Sequence, residues 1–284
     1  MSSSGLPSPF DLSKQMRKLD ALPVFSASIR DVLNTIDSSQ SSFEQIASLI
    51  QKDPALSLHV LRSANSLLST FEGKVTGILH AVRILGLVPL RGVVVSRILL
   101  DKARRHPGVS ELWYHSQAVS VICTVIGRYM NSRKLEELQT IGLLHDIGKF
   151  FFYDEYSEYY EQEFQLGDSG RAEPDWLRER DVFGIDHCLL GDRVVRNFRL
   201  PRILFEPILL HHDPSKSVEF PELAHTCSVA DGIARAFGSG VPEYVFVEPE
   251  FTGSLDVLGL GTNDLRNLLP EVLHRLSAVE ILLP

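Results

Sequence analysis

Apolar residues recur at three- and four-residue spacing through most of the chain, and this spacing predicts α-helices rather than strands. Ser42 and Gln45 form a capping-box pattern ahead of an apolar run. Asp53 and Pro54 predict another helix start, because a carboxylate caps a helix N-terminus and proline fits the first turn. A separate helix around Ile78–Leu85 is predicted to stop at Gly86. The first part of the chain is therefore expected to be entirely helical.

The same periodicity continues through the second part of the chain. It predicts helices over residues 109–131, 135–145, 175–198, 201–211, 220–237 and 263–281. The acidic, aromatic segment 153–160 is interpreted as a solvated helix face with some aromatic packing, and residues 166–173 are predicted to form a loop. Residues 238–262 are rich in Gly, Pro and β-branched residues, and they are expected to hold a short strand or an irregular excursion.

The helical periodicity and the local composition together divide the chain into four parts. Residues 1–10 are rich in Ser and Pro and are predicted to be a flexible tail. Residues 11–105 form an N-terminal helical half, and residues 106–237 form a second helical half that carries the candidate chemistry. Residues 238–284 are expected to be a small C-terminal extension that ends in the final helix. The expected fold class is all-α.

Composition narrows the possible partners and location. The chain has 284 residues with a formal net charge of −8, so binding of bulk nucleic acid is not expected, although a local basic pocket could accept a small phosphorylated ligand. The sequence lacks a secretory signal pattern, and no window reaches the roughly 18 apolar residues of a bilayer span. These features predict a cytoplasmic protein without membrane association.

The three cysteines, Cys123, Cys188 and Cys227, lie far apart and form no Cys-x-x-Cys pair. Their odd number and their spacing argue against a disulfide framework and against a structural zinc finger. They are predicted to be reduced and mostly buried thiols.

The strongest chemical signal is the segment Gly142–Lys149, with the sequence GLLHDIGK. Adjacent His145 and Asp146 offer an imidazole and a carboxylate to one cation, and the carboxylate could bridge two ions. Lys149 follows about one helical turn later and could contact a phosphate oxygen. Neutral imidazole and carboxylate ligands together suit Mn, Fe, Zn or Co.

Other candidate ligands are distributed along the second half of the chain. Glu111 precedes His115 by four residues, so both are expected on one helix face. Asp231 lies within an otherwise apolar helix, where a buried carboxylate needs either a hydrogen-bonding network or a metal. The candidates outside the central segment are Glu111, His115, His187, His211, His212 and Asp231.

These residues resemble the HD superfamily of metal-dependent phosphohydrolases. The order His115, His145–Asp146, Asp231 is similar to its H…HD…D signature. His187 and the pair His211–His212 resemble the additional ligands of the dinuclear HD-GYP branch, with Lys149 at the place of its lysine and Glu111 where some sites add an acidic ligand. Further segments resemble the HDOD family, over about residues 19–237: 53–56, 61–66, 81–86, 113–116 and 200–201.

The resemblance implies an HD/HDOD-like helical bundle in two helical halves. It implies a centre of divalent metal, Fe, Mn or Zn, with two ions, in which Lys149 and Asp146 would be the catalytic residues of an active enzyme. The expected ligand set is Glu111, His115, His145, Asp146, His187, His211, His212 and Asp231. The Gly-Tyr-Pro element is absent after His212, where the chain reads DPSK, and this departure argues against hydrolysis of cyclic di-GMP.

Two functions follow from these expectations. In the first, the chain is a signal-transduction and regulatory protein that binds metal and recognises a signalling protein or a small phosphorylated or nucleotide ligand. In the second, it is a metal-dependent phosphohydrolase, a phosphodiesterase or nucleotide phosphatase. Access discriminates between them, because an enzyme needs an open coordination position with a cleft beside it, whereas a structural centre is closed by protein ligands.

Overall fold

The computed structural model describes residues 27–67, 75–103, 107–163, 175–238 and 249–280. Within these ranges the fold is all-α, as predicted, and no strand is present. The predicted tail at 1–10 and the predicted loop at 166–173 lie outside the described residues.

The α-helices are numbered here in chain order, and two short 3-10 helices, Arg202–Leu204 and Pro214–Lys216, accompany them. They are α1 (Ala27–Asp37), α2 (Phe43–Ile50), α3 (Pro54–Leu67), α4 (Ile78–Leu85), α5 (Leu87–Ala103), α6 (Pro107–Tyr129), α7 (Leu135–Leu144), α8 (Lys149–Glu163), α9 (Asp175–Phe183), α10 (His187–Asn197), α11 (Phe205–Leu210), α12 (Pro221–Gly238), α13 (Pro249–Leu258) and α14 (Thr262–Glu280).

The helix starts read from the sequence are made by the expected side chains. Ser42 Oγ accepts a hydrogen bond from Gln45 N at 3.3 Å, and Gln45 Oε1 accepts one from Ser42 N at 3.0 Å, which completes the capping box of α2. Asp53 Oδ1 accepts a hydrogen bond from Leu56 N at 3.0 Å and caps α3. Helix α4 ends before Gly86, whose φ of 71° would strain any other L-residue.

One continuous apolar core joins the N-terminal and C-terminal parts of the chain, from Ile29 to Val272. Helix α6 lies at its centre and contacts α7, α12 and α14. Arg91 on α5 is buried; its Nε donates to Phe198 O at 2.7 Å and its guanidinium pairs with Asp37. This arginine therefore connects α1 with the end of α10, and it holds together segments that are far apart in sequence.

The apolar run at the centre of α5 is buried, as expected for a core helix. Within the described residues, no single helix combines the length and apolar composition that a bilayer span requires. One pair, Ile78–Leu85 with Leu87–Ile98, passes by length and composition when taken together, but its two parts meet at an angle of 112°.

One segment differs from its sequence interpretation, and a second differs in part. The described part of 238–262 contains helix α13, so the short strand or irregular excursion expected there is wrong for Pro249–Leu258, while 239–248 lie outside the described ranges. In the acidic, aromatic segment 153–160, Tyr153 and Tyr160 are buried. Tyr153 packs edge-on against Tyr160, whose ring stacks on Phe152. The expected aromatic packing is therefore present, but these two tyrosines face the core rather than solvent.

The link from α11 to α12 is held by one carboxylate. Glu206 is half-buried; its Oε2 accepts from Ser217 Oγ, Glu219 N and Phe220 N at 2.8–2.9 Å, and its Oε1 accepts from Val218 N at 2.8 Å. Burial alone would raise the pKa of Glu206, but these hydrogen bonds outweigh it and hold the pKa below its usual 4.5.

Glu206→Gln is expected to lower the free energy of unfolding by about 1–2 kcal/mol near neutral pH, because an amide nitrogen cannot accept N–H groups. Since the folded pKa is depressed, the carboxylate contributes its full stability above the unfolded pKa and loses it as pH falls through the folded value. Urea unfolding at several pH values should show the difference from wild type shrinking in acid. The exposed Glu222→Gln variant serves as the control; a pH-independent difference would contradict the prediction.

Candidate metal centre

Five helices bring their polar residues to one buried place. His115 lies on α6, and the pair His145–Asp146 follows the last residue of α7. His187 is the first residue of α10, the pair His211–His212 follows α11, and Asp231 lies within α12. The chain therefore places together seven candidate ligands that its sequence separates by more than a hundred residues: His115, His145, Asp146, His187, His211, His212 and Asp231.

Gly148 sets the distance between the central segment and α10. A Cβ atom at this position would lie 2.1 Å from His187 O, and real Cβ atoms do not approach a carbonyl oxygen so closely. Only glycine permits the backbone around residue 148 to touch the start of α10. The contact puts the first residue of α10, His187, against the His145–Asp146 pair.

The first group of ligands lies between α6, α7 and α12. His115 Nε2 is 3.0 Å from Asp231 Oδ1 and 3.8 Å from Asp146 Oδ2. His145 Nε2 is 3.5 Å from Asp146 Oδ2 and 3.8 Å from Asp231 Oδ1. Two imidazole nitrogens and two carboxylate oxygens thus face a common point.

The second group lies on the other side of the Asp146 carboxylate. Asp146 Oδ1 is 3.2 Å from His187 Nε2 and 3.6 Å from His211 Nε2. His187 Nε2 is also 3.4 Å from His211 Nε2 and 3.1 Å from His212 Nε2. Because its two oxygens face different groups of histidines, Asp146 has the orientation of a carboxylate that bridges two cations.

The hydrogen bonds at Nδ1 fix which ring nitrogen carries the lone pair. His145 Nδ1 faces Gly142 O at 2.9 Å, His187 Nδ1 faces Glu179 Oε2 at 2.6 Å, and His211 Nδ1 faces Ile208 O at 2.8 Å. Since these partners are acceptors, each Nδ1 is assigned as the donor, and each neutral ring presents a lone pair at Nε2.

The Nε2 atoms of these three rings converge inside the buried cluster. His145 Nε2 is buried and has no hydrogen-bonding partner among the described residues, and the Nε2 lone pairs of His187 and His211 face each other. Buried acceptors that lack a donor are costly. A cation at the point of convergence would satisfy them, so the donor set fits divalent metal ions that accept nitrogen and carboxylate ligands.

The charge states of His145 and Asp146 suit the binding of a cation. Burial lowers the pKa of His145 to about 3, so its imidazole is neutral near physiological pH. Burial alone would raise the pKa of Asp146, but Lys149 and the neighbouring histidines outweigh it and hold that pKa well below its usual value. Lys149 Nζ donates to Asp146 Oδ2 at 2.8 Å. Metal binding needs neutral imidazole and ionised carboxylate, and the surroundings of His145 and Asp146 favour both.

At His187 and His211 burial alone would lower the pKa, but Cys188 and the neighbouring carboxylates outweigh it. They hold the pKa of His187 well above its usual value and raise that of His211 to about 10, so a metal bound there displaces a proton from each ring.

One predicted ligand is not brought into the cluster. Glu111 lies on α6 one turn before His115, but its side chain is exposed and forms no hydrogen bond or ion pair among the described residues. A helix rises about 5.4 Å per turn, so residues that share a face need not reach the same point. The other predicted residues, including Lys149, all contribute to the cluster.

Two residues of the centre were not predicted from the sequence as functional. Glu179 on α9 is fully buried and accepts hydrogen bonds from His187 N at 2.7 Å, His187 Nδ1 at 2.6 Å and Tyr160 Oη at 2.5 Å. Cys188 is a buried free thiol, as predicted, but it also lies among the second group of histidines. Its position next to His187 was the available signal, whereas Glu179 has no diagnostic spacing.

Comparison with known proteins agrees with this architecture. The chain is similar to an HDOD domain protein of unknown function from Geobacter sulfurreducens, with 22% identity, a TM-score of 0.65, and coverage of 95% of this chain and 97% of that one. It is also similar to a candidate metal-dependent phosphohydrolase from Shewanella amazonensis, with 19% identity, a TM-score of 0.63, and coverage of 94% and 96%. At these identities the likeness establishes the fold.

The helical fold and the buried His/Asp cluster are those expected from the resemblance to the HD superfamily. The HDOD domain family matches residues 22–214, which is more than half of the sequence, and the chain belongs to this family. The match ends before Asp231. An uncharacterised protein from Treponema pallidum is 22% identical over 233 residues, which are 79% of this chain but only 44% of that protein.

Proposed function

We propose that this chain is a signal-transduction module of the HDOD family whose His/Asp cluster binds two divalent metal ions, Fe, Mn or Zn. The observation that carries the proposal is the burial of the cluster around converging lone pairs. The side chains of His145, His187 and His211 have no exposed surface, and those of Asp146 and Asp231 are 2% and 3% exposed. Metals in such a centre would be enclosed by protein ligands.

The remaining exposure of the centre is small. Side-chain exposure is 10% for His115 and 18% for His212, and the ring of His212 stacks on Trp176 of α9. An enclosed centre favours a role in stabilising or sensing a state over rapid exchange of substrate and product. We therefore expect the module to act by binding a signalling protein or a small phosphorylated or nucleotide ligand. We further propose that it does so in the cytoplasm.

Metal content tests the proposal directly. The protein should be purified without chelators and without a metal-affinity step, and its bound metal measured by inductively coupled plasma mass spectrometry. We expect about two ions per chain in the wild type and in His80→Ala, which removes an exposed histidine outside the centre, and none in the His145→Ala/Asp146→Ala variant. Absence of metal in the wild type, even after reconstitution, would contradict the proposal.

A metal-dependent phosphohydrolase is the second candidate. The bridging orientation of Asp146 and the Lys149 ammonium beside it favour this function. Arg235 Nη2 lies 3.2 Å from Asp231 Oδ2. The Arg235 side chain is 38% exposed, so it adds positive charge where the centre approaches solvent. Two bound divalent ions would bind phosphoryl oxygens and activate a water. Lys149 and Arg235 would then help to hold a phosphoester, with a nucleotide as the expected substrate class.

Turnover separates the two candidates. The metal-loaded protein should be assayed with p-nitrophenyl phosphate, its bis-ester, nucleoside phosphates and cyclic dinucleotides. Hydrolysis that is lost in Lys149→Met while both metals are retained would establish the enzyme. A protein that holds two metals and turns over none of these compounds would support the signalling module.

Glu179→Gln tests whether Glu179 orients the His187 ring toward the centre. The Glu179 carboxylate accepts both the backbone N–H and the Nδ1–H of His187, and it fixes the tautomer that directs Nε2 toward the centre. We expect the variant to bind metal about 10–100-fold more weakly, as judged by competition with a chelator of known affinity. The exposed Glu222→Gln variant should match the wild type; unchanged affinity in Glu179→Gln would refute the orienting role.

A further inference from the structure

Cys188 lies inside the second ligand group, although the function proposed above does not use it. Its ligand atom and those of His187, His211 and His212 all lie within 4.8 Å of one another. The residue is 5% exposed, and its thiol lies beside the imidazoles of His187 and His211. The N-cap Asp186, which accepts from Leu189 N at 2.7 Å, fixes the first turn of α10 and with it the position of Cys188.

The surrounding atoms favour a sulfur–metal bond at this place. The Nε2 atoms of His187 and His211 lie 3.4 Å apart in the same ligand group as the thiol, and Asp146 Oδ1 is buried without a hydrogen-bonding partner among the described residues. The other cysteines, Cys123 and Cys227, belong to neither ligand group. Three imidazoles and one thiolate, with Asp146 Oδ1 beside them, form a donor set that suits Zn²⁺, which takes nitrogen, sulfur and carboxylate ligands.

We propose that Cys188 is a ligand of the metal bound by His187, His211 and His212, which makes this half of the centre a nitrogen–sulfur site selective for Zn²⁺ over Mn²⁺. As the sulfur–metal bond forms, the thiol releases its proton to solvent. The other half, built from His115, His145, Asp146 and Asp231, keeps a nitrogen–oxygen donor set. The inference rests on the proposed metal binding and adds to it an asymmetry between the two halves, since thiolate ligands disfavour Mn²⁺.

Cobalt substitution distinguishes the inference from the proposed function. The full chain should be loaded with Co²⁺ and its bound metal counted, together with its visible d–d absorption; these report metal binding by any ligand. A sulfur-to-cobalt charge-transfer band in the near ultraviolet reports the thiolate alone. We expect this band in the wild type and in the control Cys123→Ala, which removes a buried thiol outside the centre. We expect no such band in Cys188→Ala or Cys188→Ser, although both variants should still bind cobalt.

X-ray absorption of the zinc-loaded wild type gives an answer that does not depend on folding of the variants. Sulfur should appear in the first coordination sphere at about 2.3 Å, beside nitrogen and oxygen at about 2.0–2.2 Å. Bound metal without sulfur scattering, or a charge-transfer band that persists in Cys188→Ala, would overturn the thiolate ligand and leave the metal centre standing. Absence of bound metal would overturn both proposals.

Discussion

Asp146→Asn is expected to abolish metal binding in both halves of the centre, although the substitution hardly changes the volume of the side chain. Asp146 Oδ1 faces His187 and His211, whereas Oδ2 faces His115 and His145, so one change removes an anionic ligand from each group. Loss of an outer partner alone weakens metal sites about 10–100-fold, and we expect loss of a shared ligand to exceed about 100-fold.

The same substitution should also destabilise the metal-free protein. The Lys149 ammonium is buried, and Asp146 raises its pKa against the opposing effect of burial. Without Asp146 this cation lacks its nearest partner, and breaking a buried pair costs about 3–5 kcal/mol. Urea unfolding with chelator present should show a loss in this range. Adding Lys149→Met should recover much of the stability without restoring metal, which separates folding from ligation.

Asp192→Asn provides the matched control for Asp146→Asn. Asp192 is also a buried carboxylate, on α10, and it pairs with Arg196 at 2.8 Å outside the ligand groups. We expect this variant to keep its metal content while losing some stability. If Asp146→Asn retained both metals, or if Asp192→Asn lost them equally, a bridging role for Asp146 would be excluded.

Sequence signals located the parts of the centre that depend on local chemistry. A capping box, an Asp-Pro start and the apolar spacing predicted the helices, because these features act over one or two turns. The HD superfamily pattern joined His115, His145 and Asp231 before the fold was known. The distances then gave what no local pattern contains, namely that the two oxygens of Asp146 face separate groups.

Other features depended on tertiary contacts and could not be inferred from spacing. Glu179 becomes an orienting residue because α8 places Tyr160, and α10 places His187, around its carboxylate. Glu111 has the correct helical spacing but stays exposed. Cys188 directly follows the candidate ligand His187 in sequence, but its place in the centre arises only where α10 meets the histidines that follow α11.

Gly148→Ala is the most informative change outside the ligands. Its Cβ would lie 2.1 Å from His187 O and 2.9 Å from His187 Cα, so the clash is with backbone that cannot rotate away. The start of α10 must move, and His187 must move with it. Overpacking of this kind costs about 1–3 kcal/mol, and we expect about 3 kcal/mol here because no flexible side chain can relieve it. Urea unfolding of the chelator-treated protein would measure this loss in the free energy of unfolding.

Gly148→Ala should lose more metal from the second ligand group than from the first. His187, Cys188, His211 and His212 form the group that depends on the placement of α10, whereas His115, His145 and Asp231 are held by α6, α7 and α12. We therefore expect close to one ion per chain to be retained. Gly253→Ala on α13 is the control, because a Cβ there meets nothing within 4 Å and should stabilise the helix by about 0.5–1 kcal/mol. Equal loss of both ions with unchanged stability would show that Gly148 does not act through the position of α10.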